Sequence, residues 1–223
     1  MSPLPEIIPR NLFVCIEGSI GVGKSTAGRN VANQLGYEFY EEPILGGIER
    51  LRKKFYADMK QYAALFQTKL FIKRFKQHQS IILDIDDNGA IQDRSIYGDK
   101  VFAYMLHETG YITDEELEVY EELWCVFRHL LVYPDLMFFL EADTDVLLDR
   151  INGHRKREEE SGITAEYLNA LRDKNELLYD DMVANGVPCY KLDWNNPNVH
   201  VSDITHLINH TARVKSSKWT KIR

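Results

Sequence analysis

Gly18-Ser19-Ile20-Gly21-Val22-Gly23-Lys24-Ser25-Thr26 sets two glycines, a lysine and a hydroxyl residue in the order of a phosphate-binding loop. Glycines at 18, 21 and 23 admit backbone conformations and close approaches that a β-carbon forbids, so successive N–H groups can wrap a β-phosphate at a helix N-terminus. Lys24 adds a mobile charge that follows the γ-phosphate as it transfers. Ser25 offers its hydroxyl to a magnesium ion (Mg2+) bridging the β and γ oxygens. A glycine-rich turn without a ligand needs no lysine followed by two hydroxyl residues, so these nine residues predict a nucleotide-binding site.

Other charged residues arrive where such a loop needs them. Glu41-Glu42-Pro43 follows the short run Tyr37–Tyr40, at the kind of strand end where open parallel sheets bind ligands. A carboxylate there, facing the loop, can accept a proton from a hydroxyl that attacks the γ-phosphate; the alternative is a solvated acidic turn. Asp93-Arg94-Ser95 ends a second short run, Gly89–Gln92. Asp93 can hold magnesium through water and Arg94 can restrain the catalytic carboxylate or the attacking oxygen, unless the two are only a structural ion pair. Gln67 and Arg74 lie two helical turns apart, sharing a face with Leu70 and Phe71. That face suits a heterocyclic base, although an amphipathic helix also carries such residues by chance. The block from His154 to Ile163 mixes both signs; its arginines are either solvated surface or a short segment that closes over the phosphoryl group.

The elements that must position these groups are legible in the apolar pattern. Leu12–Ile16 reads as a buried strand and Thr26–Leu35 as the helix behind the loop. Tyr37–Tyr40, Gly89–Gln92, Pro134–Leu140 and Val187–Leu192 read as further strands. Helical patterns cover 44–79, with a break near Asp58-Met59, and then 113–132, 143–151 and 201–210. Ser95 and Thr113 are candidate helix caps, and Thr113 opens a capping box. Leu117, Tyr120, Leu123, Trp124, Phe127 and Leu131 form an apolar stripe that serves either the core or a dimer contact. The expected fold is α/β with three layers, a five-stranded parallel sheet and a short mobile lid near 153–162, all in one domain spanning 1–223.

The 223 residues carry 27 Lys and Arg against 34 Asp and Glu, a formal net charge of −7. Such a balance leaves no basic stripe for polymeric nucleic acid, so the expected partner is a small anionic ligand gripped locally. Cys15, Cys125 and Cys189 are odd in number and widely separated, which suits reduced thiols in the core of a cytoplasmic protein. The first ten residues have no apolar leader pattern, no later stretch has the length of a membrane span, and the expected protein is soluble.

Taken together, the motifs resemble the deoxyribonucleoside kinase family from Phe13 to about Leu192. The quoted residues are the loop 18–26, Glu42-Pro43, Phe66-Gln67, Asp93-Arg94-Ser95, and Arg155-Lys156-Arg157-Glu158-Glu159-Glu160 leading to Gly162-Ile163. The resemblance implies a kinase fold, ATP with Mg2+, a deoxynucleoside substrate and a homodimer. It makes Glu42 the general base and sets Arg94 beside it, with Arg155 and Arg157 as lid arginines on the phosphates. Tyr56 and Glu160 would hold the sugar 3'-hydroxyl, Gln67 would read the base edge, and Arg150 would stack on adenine. Arg74 with Asp99 would form the polar pair of the purine and deoxycytidine branches, and the triple glutamate looks closest to deoxyguanosine kinases.

The chain departs from the family pattern at Leu45-Gly46-Gly47, where a tryptophan is common, and in a span from Arg150 to Arg155 one residue longer than usual. Asp93 also replaces a more frequent glutamate, keeping the charge and shortening its reach. Two other readings stand beside the kinase of nucleosides. Glu42-Pro43 followed by Gly46-Gly47 resembles the thymidylate kinase loop, whose acceptor is a phosphate, and a nucleotide-binding subunit without catalysis would share the phosphate loop.

Overall fold

β1 (Phe13–Gly18) sits in the middle of the sheet because its side chains are buried along its whole length, as parallel strands covered on both faces require. A computed structural model describes residues 11–44, 48–85, 88–155, 162–196 and 201–214, without the side chains of 154, 155, 213 and 214. Val14 to Ile16 pair with β3 (Ala90–Asp93) on one side and with β4 (Leu136–Glu141) on the other. β2 (Glu38–Tyr40) and β5 (Cys189–Asp193) flank them in the order β2-β3-β1-β4-β5, every pairing parallel.

The connections decide the layers. α1 (Lys24–Leu35) carries the chain from β1 towards the β2 edge. All later crossovers run the other way: α2 (Glu49–Ala57) and α3 (Met59–Asp84) lead to β3, α4 (Asp99–Glu108) and α5 (Asp114–Phe127) to β4, and α6 (Thr144–Asp149) and α7 (Ala165–Ala184) to β5. Right-handed crossovers in opposite directions place their helices on opposite faces. Accordingly α1 packs with α8 (Val201–Val214) on one face, while α3, α4, α5 and α7 pack among themselves on the other. The result is the expected three-layer α/β fold with five parallel strands.

Local chemistry explains most element ends. Asp58 leaves helical geometry at φ −151°, and its carboxylate accepts the Gln61 N–H at 3.0 Å, which makes the break between α2 and α3. Thr113 and Glu116 form the reciprocal capping box at the start of α5. Ser95 does not cap α4; its hydroxyl accepts the Gly98 N–H at 3.1 Å in the turn before that helix. α5 stops at Phe127 and gives way to a 3-10 turn, Arg128–Leu130, short of the expected end at 132. Its apolar stripe turns inward: Tyr120 and Trp124 pack edge-on against Phe71 at 5.8 and 5.6 Å, so the stripe belongs to the core. Cys15 fills that core as expected, whereas Cys125 is exposed. No helix among the described residues is long and apolar enough to cross a membrane.

His78 on α3 is wholly buried, edge-on to Phe13 at 5.5 Å, and its Nε2 accepts the Val132 N–H at 3.1 Å. Protonation would replace that acceptor with a donor, and burial pushes the imidazole pKa from 6.5 down to about 4. The folded state therefore demands neutral histidine. Its contribution is present above pH 6.5 and is lost as the pH falls from there through 4, because the unfolded chain takes up the proton first. Urea unfolding should show about 2 to 3 kcal/mol less stability at pH 4.5 than at pH 7.5 from this group, a loss that His78→Gln, which keeps an acceptor, should largely remove.

Candidate active site

β1 ends in a loop that only glycine can build. Gly18 has φ +138°, and a Cβ there would lie 2.4 Å from the Leu140 carbonyl oxygen of β4. Gly23, at φ +106°, turns the chain into α1, whose first turn contains Lys24, Ser25 and an exposed Thr26. Ser19, Ile20, Gly21 and Val22 span the curve between them. The Lys24 ammonium is buried within it and donates to the carbonyls of Gly18 at 3.1 Å and Ser19 at 3.0 Å.

Beside the loop, Ser25 Oγ donates to Asp93 Oδ2, while Asp93 Oδ1 is buried with no hydrogen-bond partner. Burial raises the Asp93 pKa, an effect opposed chiefly by Lys24. A hydroxyl and a carboxylate with an orphaned oxygen are a hard oxygen donor set, and they fit Mg2+.

Arg94 follows with φ +62°, the one non-glycine residue with positive φ among those described. Its strained backbone is held by its side chain, whose Nη2 donates to the Gly18 carbonyl at 3.0 Å and whose guanidinium lies 4.6 Å from the Phe102 ring centroid. Nε stands 2.9 Å from Glu42 Oε1 and Nη1 3.7 Å from Glu17 Oε2. Glu17 is a partner that the sequence reading passed over. It is wholly buried in β1, and its Oε1 accepts from Ser95 N–H at 2.8 Å and Ser95 Oγ at 2.6 Å. The available signal was an acid directly after an apolar strand run and directly before Gly18, where a buried charge must find donors.

Of the two candidate carboxylates after β2, Glu41 faces solvent with Arg29 at 3.3 Å, and Glu42 turns inward. Glu42 Oε1 accepts from Arg74 Nη2 at 2.6 Å in addition to facing Arg94. Burial would raise the Glu42 pKa, but Arg94, then Arg74 and Lys24, outweigh it and hold the carboxyl at about 2. Arg74 Nη1 meets Asp99 Oδ1; Asp99 Oδ2 accepts from the Tyr120 hydroxyl at 2.8 Å, and its main-chain oxygen accepts from Gln67 Nε2 at 3.0 Å. Glu42, Arg74 and Gln67 border a cleft shared with Ile20, Lys24 and Arg94, with Tyr56, Arg52, Phe102 and Tyr167 also on its wall, while Asp99 and Tyr120 lie behind it. Arg52, Phe102 and Tyr167 were not singled out from sequence, since nothing in their local pattern separates them from ordinary helix residues, and Tyr120 was read only as part of the apolar stripe.

Arg150 lies apart from the cleft. Its guanidinium donates to the carbonyls of Val22 at 3.2 Å and of Trp194 and Asn195 at 3.0 Å each, tying the loop to the chain after β5. The next residues, Arg150–Arg155, form a π-helical segment, the local form in which a helix absorbs one extra residue. Only the backbone of Arg155 is described, and Arg157, Glu160 and the rest of 156–161 lie outside the described residues, as do Leu45-Gly46-Gly47.

A phosphate loop at the end of β1, a magnesium-type donor pair and an inward carboxylate beside a cleft define a P-loop phosphotransferase. The deoxynucleoside kinase family model matches residues 14–214. A deoxyadenosine kinase of Dictyostelium discoideum is 32% identical over 182 residues, covering 81% of this chain and 71% of that protein. A deoxyadenosine/deoxycytidine kinase of Bacillus subtilis (strain 168) is 30% identical over 190 residues, covering 83% of each. The solved structure of deoxyadenosine kinase from M. mycoides with bound dCTP shares the fold with a TM-score of 0.77 at 24% identity, over 89% of this chain and 100% of that one. The chain belongs to the deoxynucleoside kinase family. It is a kinase of nucleotide salvage, and neither the thymidylate kinase reading nor the non-catalytic one is favoured.

Removing Glu17 should test the support of Arg94. Glu17→Leu leaves a buried guanidinium short of one counter-charge and frees two Ser95 donors, so urea unfolding should register a loss of about 3 kcal/mol, with a smaller loss for Glu17→Gln.

Proposed function

We propose that the enzyme transfers the γ-phosphoryl group of ATP to the 5'-hydroxyl of a deoxynucleoside, preferring purine deoxynucleosides or deoxycytidine to thymidine. The observation that carries this reading is the position of Glu42 in one cleft with Lys24 of the phosphate loop and with Gln67 and Arg74, both of which are held from behind by Asp99. In this reading Glu42 accepts the hydroxyl proton. Its depressed pKa keeps it ionised throughout the working pH range, and with the cleft empty both arginines hold its Oε1. A loose transition state places little charge on the attacking oxygen, so a weak base suffices. Lys24 and the loop N–H groups hold the phosphates. Ser25 and Asp93 would hold Mg2+, which would supply positive charge against the phosphate oxygens.

Arg155 and Arg157 are proposed to neutralise the transferring group, Tyr56 and Glu160 to hold the 3'-hydroxyl, and Arg150 to shape the adenine side of the ATP site through its three carbonyl contacts. The base preference draws support from the names of the relatives and from the buried Arg74–Asp99 pair. We also place the enzyme in the cytoplasm as a homodimer. Because the α5 stripe is spent on the core, the surface best suited to a second copy is the face of α4 and α7. There Tyr104 and the exposed Leu177 lie among Lys100, Lys174, Glu108 and Asp181, a mixture of signs that an isologous contact can match with itself.

Glu42→Gln should leave ATP binding nearly intact and lower turnover by about 10^2 to 10^4-fold in a coupled ADP-release assay; turnover within threefold of the wild type would remove Glu42 from the role. A panel of the four deoxynucleosides with ATP checks the base pocket. Unpartnered polar groups penalise a base with the wrong donor and acceptor pattern, so kcat/KM for the best purine or for deoxycytidine should exceed that for thymidine by about tenfold or more.

A further inference from the structure

Arg74 is shared between two tasks. Nη1 meets Asp99, its partner in the pair assigned to base recognition, and Nη2 donates to Glu42 Oε1 at 2.6 Å, on the carboxylate assigned to the chemistry. The guanidinium is 1% exposed, and its Nε is buried with no hydrogen-bond partner. The two ends of this clamp differ in firmness. Asp99 is wholly buried at the start of α4, with Tyr120 on its other carboxylate oxygen and Gln67 on its main chain. Glu42 stands on the segment after β2, outside any helix or strand, with its side chain 14% exposed. A new acceptor in the cleft thus competes with Glu42 for the guanidinium more readily than with Asp99, and the orphaned Nε–H is a donor waiting for one.

We infer that Arg74 couples base recognition to activation of the hydroxyl: an acceptor atom on the bound base draws the guanidinium away from Glu42 Oε1, leaving that carboxylate to Arg94 and able to take the proton. The inference rests on the assignments of Glu42 and of the base pocket under the proposed function. With the cleft empty, Glu42 is held by two guanidiniums and is a poor acceptor for a proton from water near the γ-phosphate. With an acceptor-bearing base in place, the 5'-hydroxyl proton passes to Glu42 as its oxygen bonds to the γ-phosphorus and the bond to the departing ADP breaks. Arg74 acts here as a positioning residue. Its effect falls on the transfer rate as well as on affinity.

The test uses two nucleosides in single-turnover transfer at saturating ATP, Mg2+ and nucleoside: deoxyadenosine, and the 2'-deoxyriboside of indole, which keeps the purine shape without acceptors. The enzymes are the wild type and an Arg74→Met, Asp99→Asn pair, which removes the ion pair as a unit and keeps an acceptor for Tyr120. The wild type should transfer to the indole nucleoside about tenfold more slowly than to deoxyadenosine even at saturation. The paired variant, whose Glu42 is permanently released, should transfer to the indole nucleoside faster than the wild type does, although both nucleosides bind it more weakly. A purely positional role for the base contacts predicts no such gain. Equal wild-type rates on the two nucleosides, or a folded variant no faster than wild type on the indole compound, would overturn the coupling. If circular dichroism shows the variant unfolded, the wild-type comparison decides alone. Glu42→Gln run alongside separates the two levels: normal transfer by that variant refutes the Glu42 assignment itself, whereas a dead Glu42→Gln with no indole gain refutes only the coupling.

Discussion

Five charged side chains form one buried line of alternating sign, Asp99, Arg74, Glu42, Arg94 and Glu17, and the geometry of the site depends on it. Four of the five are at most 1% exposed. Charges buried so deeply are tolerated only with partners in good geometry, and leaving one unmatched costs several kcal/mol. The line therefore fixes where its carriers stand relative to one another: α3 through Arg74, α4 through Asp99, β1 through Glu17, and the ends of β2 and β3 through Glu42 and Arg94. Its outer groups add neutral hydrogen bonds, from Tyr120 on Asp99 and from Ser95 on Glu17, so that each end is closed.

The sheet supplies the frame for that line. A parallel arrangement brings the carboxyl ends of β1, β2 and β3 to one edge, and each of the three delivers a piece of the chemistry there: the phosphate loop, Glu42, and Asp93 with Arg94. Close approach is part of the design. Gly18 lets β1 pass the Leu140 carbonyl, and Arg94 reaches back across the same point to the Gly18 carbonyl, so the loop and the catalytic turn are braced against each other. The positive φ of Arg94 is the strained element in this arrangement, and the three groups around its guanidinium hold it in place.

The reading of the apolar pattern succeeded where the signal was periodic or chemically specific. The phosphate loop, the break at Asp58, the capping box at Thr113 and all five strands were visible because each depends on residues close together in the chain. Boundaries slipped where tertiary burial overrode the pattern: β1 runs past Ile16 because Glu17 finds its donors on the turn after β3, and α5 stops at Phe127 although its apolar stripe continues to Leu131. Ser95 looked like a helix cap because its type is right, but its hydroxyl is shared between Glu17 and the turn at Gly98, a choice made by a strand 78 residues away in the chain.

By itself the sequence determined the fold class, the phosphate loop and the kinds of group that surround it, since hydrophobic period, glycine placement and turn chemistry act over short stretches of chain. Only the tertiary structure decided that Glu17 supports Arg94, that the α5 stripe faces the core, and that Arg74 touches both Asp99 and Glu42. Each of those outcomes is a pairing between segments distant in the chain. The energy of such a pairing comes from shared burial and opposite charge, and neither partner carries the mark of the other in its own neighbourhood.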